Sequence, residues 1–420
     1  MSRNPHRDPA AQIAARIGSF ASAARDPVLI EPGEPPFALA PECYSVEGAR
    51  LDVWDGERHL SRKLQRVAAD RAGMLEIEVE RFGKRTGRIT LLDRARAPEN
   101  AVDRKAARMA LREQLRLCLR RQFPNWRIAE ITTEVFLEHS LSPVYPRASI
   151  VRGDRAWAAV AAPPGAATAH TLTFGLLWLD YLRRRERTLL VDGLCLLLPA
   201  GGELETCLRI RWLHPAAARF AVFVYDSPHD EAPVDPARHG NLETALVAAP
   251  ETEGTNQTRV RREPSKNEAW LESAIRRDPR RVDASLLPEP VYRQVSTWAG
   301  AERGIPDLLA AESGGRLAVL ELKAAAEIHL PLQALDYWMR VRWHHEQGDL
   351  ARLGYFPGVE LSPEPPRLLL AAPALGFHPS TETIVRYFSP AIEVERVGLH
   401  VEWFQEFRVM YRLRGAGSAA

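Results

Sequence analysis

Asp307, Glu321 and Lys323 are the residues of this chain whose types and spacing point most directly to chemistry. They lie in G-I-P-D-L-L-A (304–310) and L-A-V-L-E-L-K (317–323), with the turn signal Ser313-Gly314-Gly315 between them, a pattern that predicts a β-hairpin. In a tight hairpin centred on 314–315, residues whose numbers sum to about 628 face each other, and Asp307 and Glu321 meet that sum. Alternation along a strand then puts Glu321 and Lys323 on one face, with Leu320 and Leu322 on a core face. Two carboxylates this close repel, and one stays protonated unless a cation lies between them. A divalent ion such as Mg²⁺ suits such a pair, because it takes carboxylate oxygens and keeps several waters. The competing reading is a surface hairpin whose Glu and Lys form a solvated pair.

Lysine usage weighs against that bland reading. Of the 56 basic residues only Lys63, Lys84, Lys105, Lys266 and Lys323 are lysines. The chain supplies Arg almost wherever a positive charge suffices, so a Lys two residues after a Glu in an apolar strand points to a need for a compact ammonium. Lys is a point charge that can approach a water or an oxyanion, where Arg presents a planar fork.

These residues sit in a segment, about 266–375, that resembles the PD-(D/E)XK nuclease superfamily. Pro306-Asp307 matches the P-D, and Glu321-Leu322-Lys323 matches the E-x-K. Upstream, N-E-A-W-L-E-S-A-I-R-R-D-P (267–279) reads as the helix that often carries an extra acidic ligand, with Glu268 the best match and Glu272 one turn later the alternative. Downstream, Gln333-Ala-Leu-Asp-Tyr337 resembles a Q-x-x-x-Y motif whose ends share a helix face. The order helix, V-Y-R-Q-V strand, hairpin, helix, then P-R-L-L-L-A-A strand (366–372) is similar to the NucS/EndoMS branch. The resemblance implies Mg²⁺ or Mn²⁺ held by Asp307, Glu321, the Leu322 carbonyl and Glu268. It implies Lys323 acting on the attacking water, and Gln333, Tyr337 and Gln294 supporting the site. The activity implied is phosphodiester hydrolysis on DNA, in repair, recombination or defence, with RNA as an alternative substrate. A single site nicks one strand, so a double-strand cut needs a homodimer or two events.

The chain as a whole, 420 residues with 45% hydrophobic and 26% charged residues, has the composition of an ordinary globular protein of two or three domains. No apolar run approaches the ~20 residues needed to span a membrane. The N-terminus lacks a hydrophobic signal core, so a cytoplasmic location is expected. Cys43, Cys118, Cys195 and Cys207 show no C-x-x-C spacing, which argues against zinc. A net charge of +2 gives no global basic field, so nucleic acid would be held by local clusters, of which Arg261 and Arg262 are the best phosphate candidates. His344-His345 at the end of the Gln333 helix reads as a cap or surface feature.

The chain also contains an internal echo. Residues from about 110 to 226 repeat the pattern of about 266 to 405. Y-P-R-A-S-I-V-R-G-D-R-A-W-A-A-V-A-A-P (145–163) lies over 305–323 with one residue of slack, and Leu179-Asp180-Tyr181 lies over Leu335-Asp336-Tyr337. In this alignment Arg147 replaces Asp307, Ala161 replaces Glu321, and Pro163 replaces Lys323. The first copy is thus expected to be a pseudo-nuclease domain retained for packing, DNA contact or partner recognition.

The expected fold is α/β: a restriction-endonuclease-like mixed sheet flanked by helices, duplicated, with a small N-terminal β-rich region. The expected divisions are a poorly ordered or helical extension (1–42), the β-rich region (43–100), the degenerate copy (101–226), a linker (227–265), the nuclease domain (266–412) and a frayed tail (413–420). A non-catalytic nucleic-acid- or protein-binding scaffold built from nuclease-fold domains is the rival reading.

Overall fold

Alternating apolar residues in the N-terminal part of the chain fold as antiparallel sheet. The computed structural model describes residues 9–31, 36–55, 58–71, 73–81, 85–93, 101–227, 230–242, 244–249, 268–293 and 308–415. The chain divides into two compact units, one of Met1–Glu203 with Ala221–Val234, the other of Leu204–Phe220 with Asp235–Ala420. Among the described residues no helix is long and apolar enough to cross a membrane.

The first unit opens with helix α1 (Pro9–Ala23) and strands β1 (Pro27–Ile30), β2 (Phe37–Ala38), β3 (Tyr44–Glu47), β4 (Arg50–Asp55), β5 (Arg58–Arg71), β6 (Met74–Arg81) and β7 (Arg85–Asp93). They form one antiparallel sheet in the order β2-β1-β7-β6-β5-β4-β3. Ile13 and Ile17 of α1 pack with Leu29, Leu51, Leu75 and Ile77 on one face. The β-rich region therefore begins at Pro27, ahead of the expected residue 43, because β1 pairs with the distant β7. β6 and β7 pair down to Arg81 and Arg85.

Helix α2 (Ala101–Gln122) leads into a second sheet of β8 (Arg127–Thr132), β9 (Arg147–Arg152), β10 (Arg155–Ala161), β11 (Leu190–Pro199), β12 (Arg219–Tyr225) and β13 (Ala232–Val234), with α3 (Thr171–Arg185) between β10 and β11. The strands lie side by side in that chain order. Leu115, Cys118 and Leu119 of α2 pack on Cys195 and Leu197. Gly175 of α3 lies against Leu194 and Leu196 instead. Because alternate residues of a strand face opposite sides, α2 and α3 cover the two faces of one sheet.

The second unit contains α4 (Leu204–Ile210), α5 (Glu268–Arg277), β14 (Tyr292–Arg293), β15 (Leu308–Ala311), β16 (Leu317–Leu322), α6 (Leu330–Glu346), α7 (Asp349–Arg352), β17 (Arg367–Pro373), α8 (Ser380–Val385), β18 (Val394–Leu399) and β19 (Val409–Arg414). Its sheet runs β14-β15-β16-β17-β18-β19. Pairings around β16 and β17 are parallel, and those at both margins antiparallel. Leu271 and Ile275 of α5 pack on Leu308, Leu320, Leu322 and Leu369, while α6 packs on β16 and β17. Every residue of β16 is buried, as expected of a strand with parallel pairing and helices over it. The architecture is thus α/β with mixed sheets flanked by helices. Within this unit Leu213 and Phe388 form an antiparallel bridge, with His214 N donating to Tyr387 O at 2.7 Å and Ser389 N to Trp212 O at 2.8 Å. The expected linker is partly built into the fold: β13 closes the second sheet, and Ala249 N donates to Leu353 O.

The β15–β16 hairpin has the register read from the sequence. Leu308 faces Leu320, Leu309 faces Val319, and Ala311 faces Leu317. Gly315 makes the tip possible. Its φ is +80°, and a Cβ there would lie 1.9 Å from the Glu360 carbonyl oxygen. Only a residue without a side chain can take both the left-handed turn and that close approach.

Candidate active site

Glu321 and Lys323 mark the end of β16. Parallel pairing places Leu322 beside Ala371, and the Lys323 amide donates to the Ala371 carbonyl at 3.0 Å. Leu322 and Leu320 point into the apolar core shared with α5. The alternation of the strand sends Glu321 to the opposite side, where its residue is only 2% exposed. The solvated Glu–Lys reading is therefore corrected: the hairpin is interior, because β17 and the two helices enclose β16.

A carboxylate this deeply buried needs a cation. Lys323 Nζ lies 3.3 Å from Glu321 Oε1 and 3.2 Å from Glu268 Oε1. Glu268 opens α5, so the first turn of that helix contributes its carboxylate to the same ammonium. Glu268 is 55 residues away in the chain and its side chain is 44% exposed, which leaves one side of the pair open to solvent. Three expected site residues, Glu268, Glu321 and Lys323, are thus brought together.

Glu272, the alternative to Glu268, is committed elsewhere. It is buried, and its Oε1 lies 2.5 Å from Arg293 Nε. Burial pushes its carboxyl above the ordinary range; Arg293 and Arg276 pull it down, and the neighbouring Glu268 pushes it up again. A carboxyl whose pKa is raised by folding binds more protons in the native state. Stability therefore falls as pH rises from the ordinary carboxylate pKa through the raised one. The Glu272→Gln variant lacks this loss, so its stability relative to the native chain should rise across that window. Denaturant midpoints measured at a series of pH values check this; a gap that stays constant or moves the other way contradicts it.

Gln333 and Tyr337 lie one turn apart on α6 and are both half-buried, while Ala334, Leu335 and Asp336 between them are buried. Leu322, expected to offer its carbonyl, has its side chain in the core. Asp307, Gln294, Arg261 and Arg262 lie outside the described residues. Among the described residues no three His, Cys, Asp or Glu side chains cluster as a metal site. The donor set on hand is the pair Glu268 and Glu321. Both supply carboxylate oxygens, the donors that hard divalent cations take, and both already converge on one positive charge.

The hairpin of the first unit repeats this framework with different side chains. Arg147 faces Val160, and Ala148 faces Ala159. Ala161 pairs in parallel with Leu197, and the Ala162 amide donates to the Leu197 carbonyl at 2.9 Å, as Leu322 pairs with Ala371 and Lys323 donates to it. By these bonds Val160 takes the place of Glu321 and Ala162 that of Lys323, which corrects the alignment to Ala161 and Pro163. The reason lies in the turns. β9 and β10 pair up to Arg152 and Arg155 around two residues. In the second unit Glu312 N reaches Arg316 O, leaving three residues at the tip. The slack persists through the second strand. Ala148 then matches Leu308, so Arg147 keeps the place of Asp307.

Arg147 is buried and supplies its own cation. It donates to the carbonyls of Ser142, at 3.2 Å, and Glu134, and its guanidinium lies over the rings of Trp178 and Phe136 at 5.5 and 5.9 Å. Burial pulls its pKa down, and Glu130, Glu134 and Tyr181 oppose that. The start of β9 is thus filled by a guanidinium among carbonyls and aromatic faces.

Sequence reading missed two features of the second unit. Asp336, inside the Gln333–Tyr337 motif, is bound by Arg209 of α4: Nε donates to Oδ1 at 2.9 Å and a terminal nitrogen to Oδ2 at 2.5 Å. The i,i+4 spacing of Glu205 and Arg209 was a visible signal for part of that pair. His344, read as a cap or surface feature, is 2% exposed. Its Nδ1 lies 2.7 Å from Asp349 Oδ2 and its Nε2 3.0 Å from Thr244 Oγ1. It is interior because residues 244–249 fold back over α6 and α7.

No protein-family model, curated protein or solved structure matches this chain.

Proposed function

We propose that the chain is a Mg²⁺- or Mn²⁺-dependent DNA endonuclease of the PD-(D/E)XK type. Its single active site lies in residues 266–412, and residues 101–226 are a degenerate copy of the same restriction-endonuclease-like fold. The observation that carries this reading is the meeting of Glu268 and Glu321 on Lys323 at the end of a buried parallel strand. Supporting the duplication are the shared hairpin and parallel-strand hydrogen bonds of the two units, with Arg147, Val160 and Ala162 where the live copy has Asp307, Glu321 and Lys323.

Glu268 and Glu321 are the described side chains suited to hold the metal, and Asp307 and the Leu322 carbonyl join them in the resemblance. When bound, the metal supplies a water of lowered pKa and neutralises charge on the scissile phosphate. Lys323 orients that attacking water or helps remove its proton, and stabilises charge developing on the phosphoryl oxygens. Burial of Glu321 fixes one carboxylate in place, so the site is preorganised on its strand side. Gln333, Tyr337 and Gln294 support the site, and Arg261 and Arg262 contact phosphate.

A cleavage panel tests the reading: duplex, mismatched, branched and single-stranded DNA, with the same structures in RNA, each with Mg²⁺, Mn²⁺ or chelator. Metal-dependent cutting of DNA is expected. Cutting confined to RNA would move the substrate class, and no cutting of any substrate, together with no metal binding, would leave the scaffold reading. One site per chain predicts nicked rather than linear plasmid under dilute, single-turnover conditions; linear product formed directly would contradict that arrangement.

A further inference from the structure

We propose that Lys323 is the resident cation of the Glu268–Glu321 pair, and that a divalent metal enters by displacing its ammonium. This rests on the nuclease reading and adds a control to the same site. The Nζ atom stands 3.2 Å from one carboxylate oxygen and 3.3 Å from the other. It therefore holds the position from which a single cation reaches both. Mg²⁺ binds carboxylate oxygens at roughly 2.0–2.1 Å. A metal that engages Glu268 and Glu321 comes within a few ångströms of the ammonium, and two cations at that distance repel strongly in a partly buried site.

Nothing in the backbone has to move for the exchange. Lys323 is anchored through its amide to Ala371, and it is the first residue beyond β16. Its side chain is 17% exposed, and its partner Glu268 lies on the solvent side at 44%. The four-carbon stem can swing while both carboxylates stay in place, since Lys is a flexible, rotatable donor. In the metal-free chain the ammonium offsets the cost of burying Glu321, which is 2% exposed. In the metal-loaded chain the same ammonium is released towards the reacting phosphate. One residue is thus a lock on the empty site and a participant in the loaded one, and metal affinity is held down by its presence. Lysine suits this double role and arginine does not, because a bidentate guanidinium fork would hold the carboxylates too firmly.

The test uses the full chain and two independent readouts. Calorimetric titration with MnCl₂ should give affinity about tenfold higher or more for Lys323→Met than for the native chain, since a competing unit charge is removed. Glu321→Gln should bind Mn²⁺ more weakly. The second readout needs no variant. Acetylation by a limiting amine-reactive reagent, read by mass spectrometry, should rise several-fold at Lys323 when Mn²⁺ is added. Lys63 and Lys105 serve as internal references. Equal or weaker Mn²⁺ affinity in Lys323→Met, or unchanged or reduced acetylation in a native chain that does bind Mn²⁺, overturns the displacement while leaving the nuclease reading standing. Failure of the native chain and of Lys323→Met alike to bind Mn²⁺ sinks both.

Discussion

Lys323→Ala is expected to lower single-turnover cleavage by about 10³-fold, the scale seen when one preorganised donor to a transition state is removed. Asp307→Ala is expected to abolish cleavage to the limit of detection. Both substitutions should leave the far-ultraviolet circular dichroism unchanged, because β16 is held by parallel pairing to β17 and by apolar contacts of Leu320 and Leu322. The lysine variant has an additional signature. Its metal affinity should rise while its rate falls, a combination that loss of folding cannot produce. Lys323→Arg should recover little activity, since a planar fork cannot replace a point charge that must approach one water. Native-like cutting by Lys323→Ala and Asp307→Ala would refute the assignment of the site.

The second large effect is structural. Asp336→Ala leaves the guanidinium of Arg209, 4% exposed, without its bidentate partner. Burial by itself pulls the Arg209 pKa down, and the charges of Asp336 and Glu205 more than reverse that. With Glu205 alone remaining, on the partly exposed side, the loss is expected to be about 3–5 kcal/mol, the cost of breaking a buried ion pair by removing one partner. Denaturant unfolding monitored by tryptophan fluorescence measures it, because Trp212 and Trp338 stack edge-to-face beside this pair. The double variant Arg209→Met/Asp336→Leu should regain most of the loss, since neither charge is then stranded. A loss under 1 kcal/mol for Asp336→Ala would show that the pair does not hold α4 to α6.

These two predictions differ in how readable their residues are. Lys323 stood out from the sequence because it is one of few lysines, sits in an apolar strand and follows Glu321 by two. The facing of Leu308 and Leu320 was also legible, because a glycine turn and strict alternation fix a hairpin register locally. Arg209 and Asp336 are 127 residues apart, and no local pattern couples them. The same holds for His344: its surroundings come from Thr244 and Asp349, and a His at a helix end gives no hint of a covering segment. The repeat alignment shows a subtler limit. Sequence similarity matched Arg147 to the place of Asp307, yet it slipped by one residue in the second strand. The tips Gly153-Asp154 and Ser313-Gly314-Gly315 differ by one residue in length, and the inter-strand bonds show where the extra residue falls.

What the sequence by itself determined is the set of groups that can do chemistry, and the hairpin that spaces them. Both follow from side-chain type and two-residue periodicity, which need no distant partner. What the tertiary structure alone decided is which cation those groups meet, and how dry the meeting place is. Glu321 is buried because β17 and two helices close around β16, and Glu268 reaches Lys323 because α5 packs its Leu271 and Ile275 on that same sheet. Burial and long-range approach are properties of the packed chain, so the lysine read from the sequence as acting on a water is, in the fold, the cation that Glu268 and Glu321 share.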